Sequence, residues 1–207
     1  RLVEHTTSWL QTNGGTLKGS PLSFAGAVDI TEVYSPPRLT AAAKRFGLNP
    51  GSALDLTTGW DFSVDAEQKE AWDLLMKEDP YFVMLTPECG PWSQCQQLND
   101  PERVAEKRER ERKHIAFCYE IALWQRNRGR GFAYEQPWTA QSWEEPPLQK
   151  LMSLPGVEFV RTDMCMFGLR CVASGELMKK STGILTNILA DLLVLFVEPP
   201  RLRHRVR

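Results

Sequence analysis

The 207-residue chain has no run of about 18 uncharged apolar residues, so nothing in it is built to span a membrane. The apolar segment "ILADLLVLF" near its end is short and carries Asp191. Histidine is scarce, at three residues, and the five cysteines are an odd number without a Cys-x-x-Cys pair, which argues against a disulfide framework and against a zinc site. Reduced thiols fit an intracellular protein, nuclear in a eukaryote and cytoplasmic otherwise. No charge of one sign dominates, the formal net charge being −1, and no internal repeat is visible. Composition by itself therefore announces neither a nucleic-acid binder nor a repeat scaffold.

What is present is an ordinary globular composition, 42% hydrophobic and 25% charged with seven tryptophans, long enough for one substantial core. Strand-like segments alternate with helical ones. "GAVDITEVYS" stops at Pro36-Pro37, "LTAAAKRFG" reads as a helix ending at Gly47, and "SALDL" as a brief second strand. "AEQKEAWDLLMKED" is an amphipathic helix with the stripe Ala71, Trp72, Leu75 and Met76. "YFVMLT" is a strand of the kind buried on both faces, a long helix covers roughly 101 to 126, and "GFAYEQP" is a further strand. A short helix and a strand near 157 to 162 follow, while "STGILTNILADLLVLFVEPP" reads as strand or helix. This βαβ spacing predicts an α/β fold with a mostly parallel sheet flanked by helices. Residues 1–25 read as an N-terminal extension, 26–198 as the catalytic domain and 199–207 as a basic tail.

In such sheets ligands bind outside the carboxyl ends of the strands. Asp55, Cys89 and Glu135 stand at three of those ends. Arg126, Arg128 and Arg130 crowd a Gly-rich turn without compensating acids and are candidates for phosphate contact, whereas "RVAEKRERERKH" reads as a solvated helix face laced by Glu–Arg pairs. Trp138 and Trp143 are aromatic candidates for a base clamp or for a packed edge.

These residues carry a resemblance. "PECGPWS" (Pro87 to Ser93) is similar to the Pro-Pro-Cys-Gln-Gly-Phe-Ser loop of cytosine-5 DNA methyltransferases, with Pro87, Cys89 and Ser93 on matching positions. "YEQP" resembles the family's Glu-Asn-Val motif and places Glu135 on its acid, and "CMFGL…KKSTGILTN" (Cys165 to Asn187) is similar to a variant of its basic strand. The likeness covers roughly Val28 to Asn187 and extends to methylase-like domains of phage and retroelements. It implies a Rossmann-like, S-adenosylmethionine-dependent methyltransferase fold. Cys89 would be the nucleophile and Glu135 the base-binding acid. Tyr34, Ser35, Pro36, Asp55, Asp61 and Pro87 would line the donor site. Ser93, Arg128, Arg130, Lys179 and Lys180 would meet DNA, or RNA as the alternative substrate.

The sequence departs from the family's pattern in three respects with physical consequences. The donor loop reads Tyr34-Ser35-Pro36-Pro37, without the glycines that let backbone approach a ligand. Glu88 stands beside Cys89 and is expected to raise the thiol pKa, with Arg130 or Lys180 as the offsetting cation. The 20 residues after Asn187 hold no counterpart of a target-recognition region. A second expectation is therefore a methylase fold serving as a nucleic-acid-binding module of a mobile element.

Overall fold

A computed structural model describes residues 28–188. Six strands form one sheet: β1 (Ile30–Val33), β2 (Pro50–Leu54), β3 (Phe82–Leu85), β4 (Gly131–Pro137), β5 (Glu158–Asp163) and β6 (Ser181–Thr186). Their spatial order is β2-β1-β3-β4-β6-β5. Strands β1 to β4 pair in parallel, and β6 runs antiparallel to both β4 and β5. The α/β reading and the mostly parallel sheet hold. The ambiguous "STGILT" is the reversed strand. The expected extension 1–25, the tail 199–207 and the rest of the "ILADLLVLF" segment lie outside the described residues.

Helices α2 (Asp65–Glu78), α3 (Pro101–Asn127) and α4 (Pro146–Met152) cover one face. There Val33, Leu85, Phe132 and Tyr134 of the strands pack on Leu75, Ile121 and Leu148. Helix α1 (Leu39–Ala43) covers part of the other face, over Ile30, Phe82 and Ala133. The α-helix predicted through Gly47 gives way at Lys44 to a 3-10 turn, and Gly47 closes it at φ 73°. Of the stripe expected on α2, Ala71 and Leu75 are buried and Trp72 is partly so. Met76 lies in solvent at 55% exposure, one position past the face that meets the sheet.

Helix α3 begins on Asp100, whose carboxylate accepts from Glu102 N, with Pro101 in the first turn. Its apolar residues cluster in its second half, and there it is buried. The Gly-rich turn that follows sits at the amino edge of the sheet. Arg128 and Arg130 both ion-pair with Asp79, Arg130 Nη1 also donates to the Asp79 carbonyl at 2.9 Å, and Arg128 lies 4.6 Å from the Trp124 ring centre. Arg126 donates to Pro155 O. The compensating acid was 49 residues away in sequence from Arg128. These arginines are therefore a structural clamp on the sheet edge opposite Cys89, not part of its surroundings.

Glu32 is the least expected core residue. It is fully buried on β1, and its carboxylate accepts from Ser35 Oγ (2.8 Å), Arg38 N (3.0 Å), Thr40 N (2.7 Å) and Thr40 Oγ1 (2.7 Å). It thus takes up amides that open α1 and fixes the course of residues 34–40. Glu32→Ala leaves those donors buried without a partner and is expected to lower unfolding free energy by about 3 kcal/mol in a urea titration. A loss of under about 1 kcal/mol would contradict this role.

Candidate active site

The order of the first three strands creates a crevice. β1 has β2 on one side and β3 on the other, so the loops leaving β1 and β3 diverge to opposite faces at their carboxyl ends. The two loops are tied together: Thr86 N donates to Val33 O at 3.1 Å and Thr86 Oγ1 to Tyr34 O at 2.8 Å.

The segment after β3 carries Cys89, and three of its carbonyls are held by side chains from elsewhere. Gln136 Nε2 donates to Pro87 O, Gln96 Nε2 to Gly90 O at 2.8 Å, and Arg108 Nε to Pro91 O at 3.1 Å. Trp92, 2% exposed, anchors the loop in the core, and the Arg108 guanidinium lies 5.2 Å from its ring centre. Arg108 also bonds Gln141 Oε1 in the turn beyond β4. The loop is therefore positioned by groups that a local motif does not contain. Arg108 sits inside the charge run read as a solvated face; that reading holds for Arg112 with Glu109, but Arg108 points inward.

Glu135 lies within β4, two residues before its end, rather than beyond it. β3 pairs with β4 only as far as Tyr134, while β6 continues to Pro137, so the strand is prolonged on one side only. Because β6 is reversed, the residue preceding it arrives at this same edge. Lys180 Nζ is 3.7 Å from Glu135 Oε1. Lys179, its neighbour, turns to Asp163 at 3.7 Å. Burial pushes the half-exposed Cys89 thiol above its ordinary pKa; Lys180 opposes that, and Glu135 and Glu88 add to it. The expected effect of Glu88 is present but is smaller than that of burial, and the offsetting cation is Lys180.

The remaining candidates have local partners. Tyr34 adopts φ 62°, a left-handed backbone in a non-glycine residue. Its ring leaves the crevice to pack edge-on against Phe62 at 4.7 Å, and its hydroxyl lies 2.8 Å from His114 Nδ1. Burial raises the Tyr34 pKa and lowers that of His114. Ser35 is buried with its hydroxyl on Glu32, and Pro36 is half-buried. Asp55 Oδ1 accepts from Thr57 N and Oγ1, capping the turn after β2. Asp61 caps the next turn through Ser63 N, and hydrogen bonding from the Ser63 hydroxyl and then its amide lowers the Asp61 pKa. Ser93 accepts from Cys95 N at 3.3 Å. The structure therefore gathers Pro87, Cys89, Glu135 and Lys180, sets Asp55 at the end of β2, beyond β1 from that group, and leaves Arg128 and Arg130 at the far edge.

Compared with protein-family models, curated proteins and solved structures, the chain matches none. No helix among the described residues is long and apolar enough to cross a membrane.

The electrostatics of Cys89 are testable without any substrate. Its alkylation by iodoacetamide, followed on its own peptide by mass spectrometry, should rise with pH and reach half its maximum above the ordinary 9.0. Lys180→Ala should move that midpoint higher and Glu88→Gln lower. A wild-type midpoint below the ordinary value would refute the arrangement.

Proposed function

We propose that the chain is an S-adenosylmethionine-dependent methyltransferase acting on carbon 5 of cytosine in DNA, with Cys89 as nucleophile. The observation that carries this reading is the convergence of a half-buried thiol, a carboxylate and a lysine at the carboxyl edge of the sheet, next to the crevice between the β1 and β3 loops. Carbon 5 of cytosine is too weak a nucleophile to be methylated unaided. Cys89, as thiolate, bonds carbon 6, and the electron pair of the 5,6 double bond becomes available at carbon 5. Glu135 meets ring nitrogen 3 and the exocyclic amine, where charge changes during that addition. Lys180 favours the thiolate and balances Glu135 before the base arrives. Once carbon 5 carries the methyl group, its proton passes to solvent. The sulfur–carbon 6 bond then breaks, restoring the double bond and the thiolate.

When bound, S-adenosylmethionine supplies a methyl group made electrophilic by its sulfonium. The β2 end suits its ribose: Asp55, whose carboxylate caps the turn after the strand, stands where a carboxylate can accept from vicinal hydroxyls. At the amino-acid end, the left-handed backbone of Tyr34 does in part what a glycine does, by turning the chain sharply out of β1.

One observation favours a second reading, a methylase fold that binds nucleic acid without transferring a methyl group. Tyr34 N is bonded to Leu54 O, Arg38 N and Thr40 N to Glu32, and Pro36 and Pro37 have no N–H, so the first loop offers few amides to a ligand.

Methyl transfer to a cytosine-containing oligonucleotide, followed with isotopically labelled donor, separates the two. The methyltransferase reading expects transfer that Cys89→Ser abolishes and Glu135→Gln lowers about a hundredfold or more, with both variants folded. Transfer unchanged in Cys89→Ser would remove the nucleophile. A folded wild type that binds the oligonucleotide but takes up no donor by isothermal titration would favour the binding module.

A further inference from the structure

Beyond Glu135 the chain carries an aromatic group that the chemistry above does not use. Trp138 N donates to Ser181 O at 3.0 Å, which continues the β4–β6 ladder one residue past the Pro137–Thr182 pair. Facing residues of an antiparallel ladder share a side of the sheet. Trp138, Ser181 and Asp163 therefore form one row, and Gln136, Gly183 and Arg161 the next. Phe159 follows on the same side.

On that side the Trp138 ring stacks on Phe159, with ring centres 4.9 Å apart and planes within 15°. The Arg161 guanidinium lies 5.4 Å from the Trp138 ring centre. Gly183 makes room for the stack: a Cβ there would stand 2.8 Å from ring carbons of both Phe159 and Trp143. Trp143 is buried and donates its indole N–H to Pro137 O, so it backs the group as core. Phe159, by contrast, remains 37% exposed, on an edge strand where Glu158 and Arg161 are exposed as well. A packed aromatic edge accounts for Trp143. It does not account for a parallel aromatic pair, beside a cation, in which Trp138 is partly open to solvent and Phe159 exposed.

The charge around the pair says what would cover it. Lys179 and Lys180 are 65% and 52% exposed, and they immediately precede Ser181, the partner of Trp138. Lys179 lies on the Trp138 side, paired with Asp163, whereas Lys180 turns to Glu135 on the opposite side of the sheet. A part-exposed aromatic pair with cations beside it, across the carboxyl edge of the sheet from a carboxylate, matches the way polynucleotides are held: bases stack on rings and phosphates meet lysine and arginine.

We propose that Trp138 and Phe159, bordered by Arg161 and Lys179, form a shelf on which an unpaired base flanking the target cytosine stacks across the carboxyl edge of the sheet from Glu135, so that the chain takes its substrate as a single strand. This rests on the cytosine reading for its target and names the state of the polynucleotide that reading leaves open. A duplex keeps its bases stacked on each other and has none to offer the shelf without first being opened.

The test is fluorescence anisotropy with end-labelled oligonucleotides of about 12 nucleotides, as single-stranded DNA, single-stranded RNA and duplex DNA, with the full chain and no donor. Trp138→Leu is expected to weaken single-strand binding about tenfold and to change duplex binding by less than about twofold, whereas Trp138→Phe keeps most of the affinity. Arg161→Gln and Lys179→Ala should each reduce the slope of affinity against salt by about one ion. Which single strand binds more tightly distinguishes DNA from RNA. A folded Trp138→Leu that binds single strands like wild type overturns the shelf. An equal loss for single strand and duplex, or no single-strand binding by wild type, does the same. A wild type that binds in this pattern without transferring methyl groups defeats the methyltransferase reading and leaves the shelf standing. Transfer that survives in a Trp138→Leu protein with unaltered binding defeats only the shelf.

Discussion

The direction of β6 governs the arrangement of the site. A fifth parallel strand in its place would begin at the amino edge of the sheet, and the residue before it would stand beside Asp79 and Arg130. Running antiparallel between β4 and β5, β6 begins at the carboxyl edge, and Lys180 arrives next to Glu135 and Cys89. The same reversal prolongs β4 past the last residue that β3 pairs, which holds Glu135 on a paired strand rather than in a loop. It also sets the Trp138 row beside the same edge. One hydrogen-bond ladder therefore fixes the Glu135 carboxylate, the cation that balances it and an aromatic group.

The thiol is placed under opposing influences. Burial is the largest and disfavours the thiolate, with Glu88 and Glu135 acting in the same direction and Lys180 against them. In the chemistry we propose, an acid that binds the base beside a nucleophile that must ionise is an intrinsic conflict, and Lys180, 3.7 Å from that acid, relieves it. The backbone around Cys89 is held by Gln136, Gln96 and Arg108, which come from β4, the turn after the loop and α3. Rigid support from several elements lets a short loop present a reactive atom in one place.

Much of the frame was legible in the sequence because its signals are local. Hydrophobic runs and Gly or Pro stops placed β1 to β4 and the three longer helices, and the residues around Cys89 and Glu135 stood out at strand ends. What escaped depends on distant partners. Arg128 and Arg130 looked uncompensated because Asp79 is far away in sequence, and Arg108 looked solvated because nothing near it announces Trp92. "STGILT" gave no period that separates strand from helix, and its direction is a property of the sheet. The buried role of Glu32 likewise depends on a chain reversal that brings Thr40 back over β1. The glycine-free loop was visible as an anomaly; the left-handed Tyr34 that accommodates it was not.

The central claim is that Cys89 forms a covalent bond to cytosine carbon 6 in the course of methyl transfer. An oligonucleotide carrying 5-fluorocytosine tests it directly, because fluorine on carbon 5 cannot leave as a proton and the sulfur–carbon 6 bond then has no route to break. Mass spectrometry after incubation with the oligonucleotide and S-adenosylmethionine should find the Cys89 peptide joined to a methylated 5-fluorocytosine, and no such species in Cys89→Ser. A folded protein that binds the oligonucleotide and the donor yet forms no adduct would contradict the account.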